Sequence, residues 1–176
     1  MAYRTIRPNT VFFRGPRVGG RSVEEWIKKH CGGYRIRKPG IRGGSHFLPS
    51  DIGEFPGIYW TIVRNPWDRM SSYYHHFAQN HGYEHNFKTF LVEAKITRYQ
   101  CNDYARLCDG HIEYYNLRKI QQMYEVDEPF PNIHETKRPN NDDIYTPETK
   151  DLVAKLYDRD VNQYGYEYEG VLRKNR

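Results

Sequence analysis

Residues 10 to 22 read Thr10-Val-Phe-Phe-Arg-Gly-Pro-Arg-Val-Gly-Gly-Arg-Ser22. Thr10 to Arg14 is a short run of β-formers, as in a buried strand. Gly15 to Gly20 carries glycines and a proline and reads as a loop. From Ser22 to His30, Val23, Trp26 and Ile27 fall on one face at helical spacing. Cys31-Gly-Gly33 ends that helix. Strand, glycine loop, helix is the unit with which α/β proteins cradle a phosphate.

Working outward, Gly57-Ile-Tyr-Trp-Thr-Ile-Val63 is a second strand. Its nearly continuous apolar character suits a buried parallel strand. Arg64-Asn-Pro66 breaks it, and Pro66 starts a helix that runs to about Gln79. Residues 34 to 57 are rich in Gly and Pro, mostly loop with room for one short strand. Further helices are expected near Asn86–Ala94 and Glu113–Tyr124. Pro129 and Pro131 mark a turn. Thr146 caps a last helix, with Pro147 at its first position and Glu148 in its first turn. That helix is expected to reach about Tyr164 and stop at Gly165. The expected architecture is α/β: an open, mainly parallel sheet flanked by helices in three layers, within one domain of residues 1–176.

The chain has 176 residues, enough for a core without a metal or disulfide staple. Its apolar runs, such as Ile58 to Val63, are too short to span a bilayer. The first residues show no apolar segment of the secretory type. A cytoplasmic protein with no membrane partner is the expectation. Cys31, Cys101 and Cys108 are odd in number and form no C-x-x-C, so free thiols are expected. The net charge of +5, from 27 basic and 22 acidic residues, favours an anionic ligand. The basic residues are scattered rather than striped, which argues against nucleic acid.

Gly15-Pro-Arg-Val-Gly-Gly-Arg-Ser22 also fills the pattern G-x-x-x-x-G-[K]-[ST], with Arg21 in the lysine place. Glycines let backbone N–H groups approach an anion, and the helix adds a positive end. Arg17, Arg21 and Ser22 add charge and hydrogen bonds. The plain alternative is a turn that merely caps a helix. A nucleotide kinase or NTPase would hold magnesium with an acid at the end of a neighbouring strand. The other clear strand runs into Arg64, which favours neutralisation by protein cations. Asp51 and Asp68 keep the kinase reading open.

Two further stretches join the loop in a family resemblance. Thr61-Ile-Val-Arg-Asn-Pro-Trp-Asp-Arg-Met-Ser-Ser-Tyr-Tyr74 is similar to the 3′-phosphate motif R-N-P-x-[DE]-R-x-x-S-x-Y. That motif belongs to sulfotransferases of the carbohydrate (membrane-type) superfamily, which use 3′-phosphoadenosine 5′-phosphosulfate (PAPS). Phe12 to Ser22 resembles their 5′-phosphosulfate loop, usually I-P-K-T-G-G-T-S. Tyr145-Thr-Pro-Glu-Thr, with Gly165-Tyr166, looks like their C-terminal helix. The resemblance spans roughly residues 10 to 166 and is weak over 86–130. It implies a P-loop-like sulfotransferase fold and transfer of the sulfuryl group of PAPS to an acceptor hydroxyl. The products are the sulfated acceptor and 3′,5′-ADP, and no metal is required. The acceptor is a small molecule or glycan, with carbohydrate favoured.

The resemblance also implies roles. Arg64 and Ser72 bind the 3′-phosphate. Val18, Gly19 and Gly20 by their backbone, with Ser22, bind the 5′-phosphate. Arg17 stands where the family has a lysine that stabilises the departing oxygen. Arg21 stands where it has threonine. Asp68 and Arg69 take a structural role. Lys137 and Arg138 lie in a basic loop that would close over the nucleotide. His46 matches the place where sugar-sulfating members carry a histidine, and an imidazole can take the acceptor's proton at neutral pH; the plain alternative is a loop histidine that bonds backbone. Asp51 would orient it. Trp67 or a tyrosine would stack on adenine. His75, His76, His81 and His85 form a cluster without a convincing metal set, read as exposed or acceptor-facing residues. A kinase or NTPase, and a binding module with a decayed site, remain the competing functions.

Overall fold

The computed structural model describes residues 1–36, 46, 48–93, 100–133 and 141–168. They form two compact units, Met1–Val63 with Cys101–Ile133, and Arg64–Gln100 with His134–Arg176.

The first unit is built on a five-stranded sheet: β1 (Ala2–Ile6), β2 (Asn9–Phe13), β3 (Tyr34–Ile36), β4 (Ile58–Val63) and β5 (Gly110–Glu113), in spatial order β3-β1-β2-β4-β5. β2, β4 and β5 are parallel neighbours, while β1 is antiparallel to both β2 and β3. The sheet is therefore mixed, with a parallel run on one side, rather than mainly parallel. β1 makes the difference. In Ala2-Tyr-Arg-Thr-Ile6 the residues Ala2, Tyr3 and Thr5 are buried, and a hairpin at Arg7-Pro8 pairs the strand with β2. β5 is too short and polar to be legible alone; the ladder with β4 makes it a strand.

Helices cover both faces of this sheet. α1 (Gly20–Cys31) and α5 (Arg118–Tyr124) lie on the face of Phe12 and Trp60, whose rings stack at 4.4 Å. There the Tyr124 ring meets both Trp26 and Trp60 edge-on. The Tyr124 hydroxyl lies 2.6 Å from Thr10 Oγ1, which also contacts Thr5 and Trp60 Nε1. The opposite face buries Ala2, Val11, Phe13 and Ile36 with Tyr104 of α4 (Cys101–Ala105). The alternation along β2 explains both layers, since successive side chains point to opposite faces. The expected helix at 113–124 is shorter: Tyr114–Asn116 is a 3-10 turn, and α5 begins at Arg118.

The second unit is helical: α2 (Pro66–His81), α3 (Phe87–Glu93), α6 (Pro147–Leu156) and α7 (Asp158–Tyr164). Asn65 caps α2 by accepting from Trp67 N–H at 3.0 Å, and Pro66 follows at the first helical position. Thr146 and Thr149 exchange side-chain-to-backbone bonds at the start of α6. The expected single helix to Tyr164 is broken at Tyr157. Tyr157 leaves the helical region, with φ of −122° and ψ of 34°, and α7 restarts at Asp158. Trp67, Met70, Tyr73, Phe90, Val153 and Tyr157 belong to the common core of these helices.

Truncation of Trp26, which is fully buried, is expected to cost about 4 kcal/mol. Tyr124→Phe is expected to cost about 1 kcal/mol, because Thr10 keeps its other partners. Urea unfolding of the two variants measures both, and equal losses would contradict this packing.

Candidate functional site

The topology marks one place in the first unit. From β2 the chain passes through α1 to β3 on one side of the sheet. From β4 it returns through α4 to β5 on the other. The order reverses between β2 and β4, whose parallel ends at Phe13 and Val63 share one edge. In open α/β sheets, ligands bind outside the carboxyl ends of the strands at such a switch point. The loop Arg14–Gly19 is what the sequence places there.

The loop turns sharply. Arg17 has φ of 57° and Gly19 φ of 73°, both left-handed. For a non-glycine residue this costs on the order of 1 kcal/mol, a strain met mostly at functional sites. Gly19 is the N-cap of α1, so it brings no capping side chain, and the first turn carries no carboxylate. The first N–H groups and the dipole end are thus left to an anion. A Cβ on Gly19 would come within 2.5 Å of the Tyr114 ring, which covers the loop. Tyr114, just after β5, was not among the sequence candidates; nothing local in the sequence brings it to Gly19.

Of the other loop residues, Val18 is buried, Arg17 half-buried and Arg21 exposed. Ser22 Oγ accepts from Ile133 N–H at 3.4 Å, which leaves its own proton available for donation. The segment from Val126 to Ile133 reaches this serine along α1. Phe130 packs on Trp26 at 4.9 Å, and Trp26 Nε1 donates to Glu128 O at 2.7 Å.

His46 comes to the loop from 32 residues away. Its Nδ1 lies 3.0 Å from the Arg14 carbonyl. A carbonyl only accepts, so Nδ1 carries the proton and Nε2 the lone pair. Burial, with a smaller contribution from the Arg14 charge, pushes the imidazole down to about 4. Asp51, expected to orient it, accepts from Leu48 N–H at 2.7 Å, and the Arg14 carbonyl holds Nδ1. Arg14 also pairs with Glu24 of α1: Nε is 3.1 Å from Oε1, and Nη1 donates to Oε2 at 3.3 Å. Neither residue stood out in the sequence, since a charged pair ten apart looks like any other.

Arg64 and Ser72 lie in the second unit. Arg64 is 3% exposed, and its Nε donates to Asp68 Oδ2 at 2.7 Å. Asp68 and Ser72, four apart on α2, share a helix face, and both are buried. Asp68 is thus a buried carboxylate that sets the plane of the Arg64 guanidinium. Arg69 is buried as well, 3.6 Å from Asp160 and over the Tyr157 ring at 4.8 Å. Asp68 and Arg69 are thus both buried rather than an exposed helix pair.

Trp67 is excluded as an adenine platform. It is 5% exposed in the core of the second unit, with Nε1 donating to Lys150 O. Lys137 and Arg138 lie outside the described residues. Among the described residues no three His, Cys, Asp or Glu side chains group as metal ligands. His76 instead contacts Asn80 and the His81 ring. The three cysteines are free thiols. Burial pushes Cys31 up to about 11 and Cys108 up to about 12, outside the reactive range. No described helix is long and apolar enough to cross a membrane.

Comparison of the chain with protein-family models, with curated proteins and with solved structures found no match. The fold and the site chemistry therefore stand on the molecule's own residues.

His46 links folding to pH. Its folded value lies below the ordinary 6.5, so the neutral ring is the one the fold accommodates. Its contribution is fully present above pH 6.5 and is lost as pH falls from 6.5 towards 4. Urea midpoints of wild type and His46→Gln across that window are expected to converge on acidification. Parallel curves would show that His46 is not buried in this way.

Proposed function

We propose that this chain is a PAPS-dependent sulfotransferase of P-loop-like fold that transfers the sulfuryl group to an acceptor hydroxyl on a glycan or small molecule. The observation that carries the reading is the meeting of His46 with the phosphate loop. A residue chosen as the base from a distant stretch of sequence bonds the first residue of the loop chosen for the phosphosulfate. The uncapped first turn of α1 and the left-handed Gly19 supply backbone donors of the kind an oxyanion needs. The strand–loop–helix unit at a switch point supports a nucleotide rather than a plain helix cap.

In this reading the acceptor oxygen attacks sulfur in line with the bridging oxygen of PAPS. The new O–S bond forms as the bridging S–O bond breaks, and 3′,5′-ADP leaves with its 5′-phosphate on the loop. Arg17, Arg21, Ser22 and the N–H groups of Val18, Gly19 and Gly20 take the charge that builds there. The acceptor's proton goes to His46 Nε2. An imidazole at about 4 is a weak base, but an anionic cosubstrate beside it raises its proton affinity. Arg64, held by Asp68, and Ser72 are assigned the 3′-phosphate by resemblance alone. Lys137 and Arg138 are assigned to the nucleotide by resemblance alone.

Calorimetric titration with 3′,5′-ADP, beside 5′-ADP and ATP with magnesium, tests the reading. Metal-independent preference for 3′,5′-ADP is expected, and preference for ATP with magnesium would make the chain a phosphotransferase. Arg64→Ala is expected to weaken 3′,5′-ADP binding by about 100-fold, as for loss of a charged hydrogen-bonding partner; unchanged affinity removes the 3′-phosphate assignment. His46→Ala is expected to lower sulfuryl transfer at least about 100-fold with nucleotide affinity kept.

A further inference from the structure

Arg14 stands where β2 becomes the phosphate loop, and several contacts converge on it. Its backbone N–H donates to Met1 O at 3.0 Å, at the start of β1. Its carbonyl accepts from His46 Nδ1 at 3.0 Å. Its guanidinium reaches the second turn of α1, at 3.1 and 3.3 Å from the two oxygens of Glu24. Its methylenes lie over Gly20, where a Cβ would come within 2.4 Å of Cγ. Only glycine at position 20 lets the side chain pass.

A cation at a phosphate loop would ordinarily be taken for a ligand of the anion. Here the side chains of Arg14 and Glu24 are 13% and 4% exposed, so each ion depends on the other. Burial lowers the Arg14 value and raises that of Glu24, and each partner's charge opposes the shift. Removing one partner would leave the other charge buried and uncompensated. Among the described residues, the groups that act on His46 through their charge are the Arg14 guanidinium and the Met1 amino group, whose own value burial pushes down to about 5.

We propose that Arg14 is a positioning residue: its pairing with Glu24 sets the span between the end of β2 and the first turn of α1, and its carbonyl presents His46 with Nε2 as the accepting nitrogen. This rests on the reading of the loop and His46 as one transfer site. A direct phosphate ligand and a brace make opposite demands on Glu24. If Arg14 held the anion, neutralising Glu24 would release the cation and tighten binding. If it is a brace, neutralising Glu24 loosens the loop and weakens binding.

The test uses the full chain with Arg14→Met, Arg14→Lys, Glu24→Gln and the Arg14→Met/Glu24→Gln double variant. Nitrogen-15 NMR of the imidazole reads the His46 tautomer, and calorimetry reads the affinity for 3′,5′-ADP. Wild type is expected to show protonated Nδ1 and bare Nε2 at neutral pH. Arg14→Met and Glu24→Gln are each expected to weaken 3′,5′-ADP binding about tenfold through misplacement of the loop. The double variant is expected to be no weaker than the worse single one, since the two act as a unit. Both single variants are expected to mix the His46 tautomers. Tighter binding in Glu24→Gln, or additive losses, overturns the brace. Should Arg14→Met fail to fold, Arg14→Lys keeps the charge without the fork and is expected to fall between it and wild type. Failure of wild type to bind 3′,5′-ADP sinks the sulfotransferase reading alone. The His46 spectra then still decide the brace, and spectra unchanged by all the variants overturn it.

Discussion

The parallel ladder between β2 and β4 is the constraint on which the first unit depends. It aligns Phe12 with Trp60 and Phe13 with Thr61, so their side chains share faces. The stacked rings of Phe12 and Trp60 and the bond from Thr61 Oγ1 to Phe13 O at 2.8 Å hold it from inside. Because β2 and β4 are adjacent and run the same way, their loops leave from one edge. Their crossovers depart to opposite sides of the sheet, which makes that edge its switch point. The placing of the glycine loop at that edge is a consequence of connectivity before it is a feature of any side chain.

That arrangement lets the loop carry strain. The left-handed turns at Arg17 and Gly19 are unfavourable or neutral in isolation, and the surrounding packing over-determines them. Trp26 anchors α1 through its ring contacts with Tyr124 and Phe130. Arg14 and Glu24 join the two ends of the loop, and Tyr114 lies against Gly19.

Arginine shows how far environment outruns identity. Arg14, Arg64 and Arg69 are all buried or nearly so, and each meets a carboxylate: Glu24, Asp68 and Asp160. Arg21 is exposed. In a list of cations all four look alike, and the count of basic residues treats them so. The carboxylate partner, set by packing, decides whether an arginine braces a loop, keeps a fixed plane or stays available to a ligand.

The amino-acid sequence alone determined the strand–loop–helix unit, the second apolar strand, the helix start at Pro66, the cap at Thr146 and the identity of the loop residues. These rest on local rules, where a residue's neighbours decide its backbone. It did not show β1 or β5, which are strands because a partner ladder makes them so. It did not show the break at Tyr157, where the backbone leaves the helical region. Only the tertiary structure removed Trp67 from the surface, brought His46 to Arg14 and joined Arg14 to Glu24. Those contacts lie between residues from ten to more than eighty positions apart, and side-chain burial, which sequence patterning reports only on average, is what brings them about.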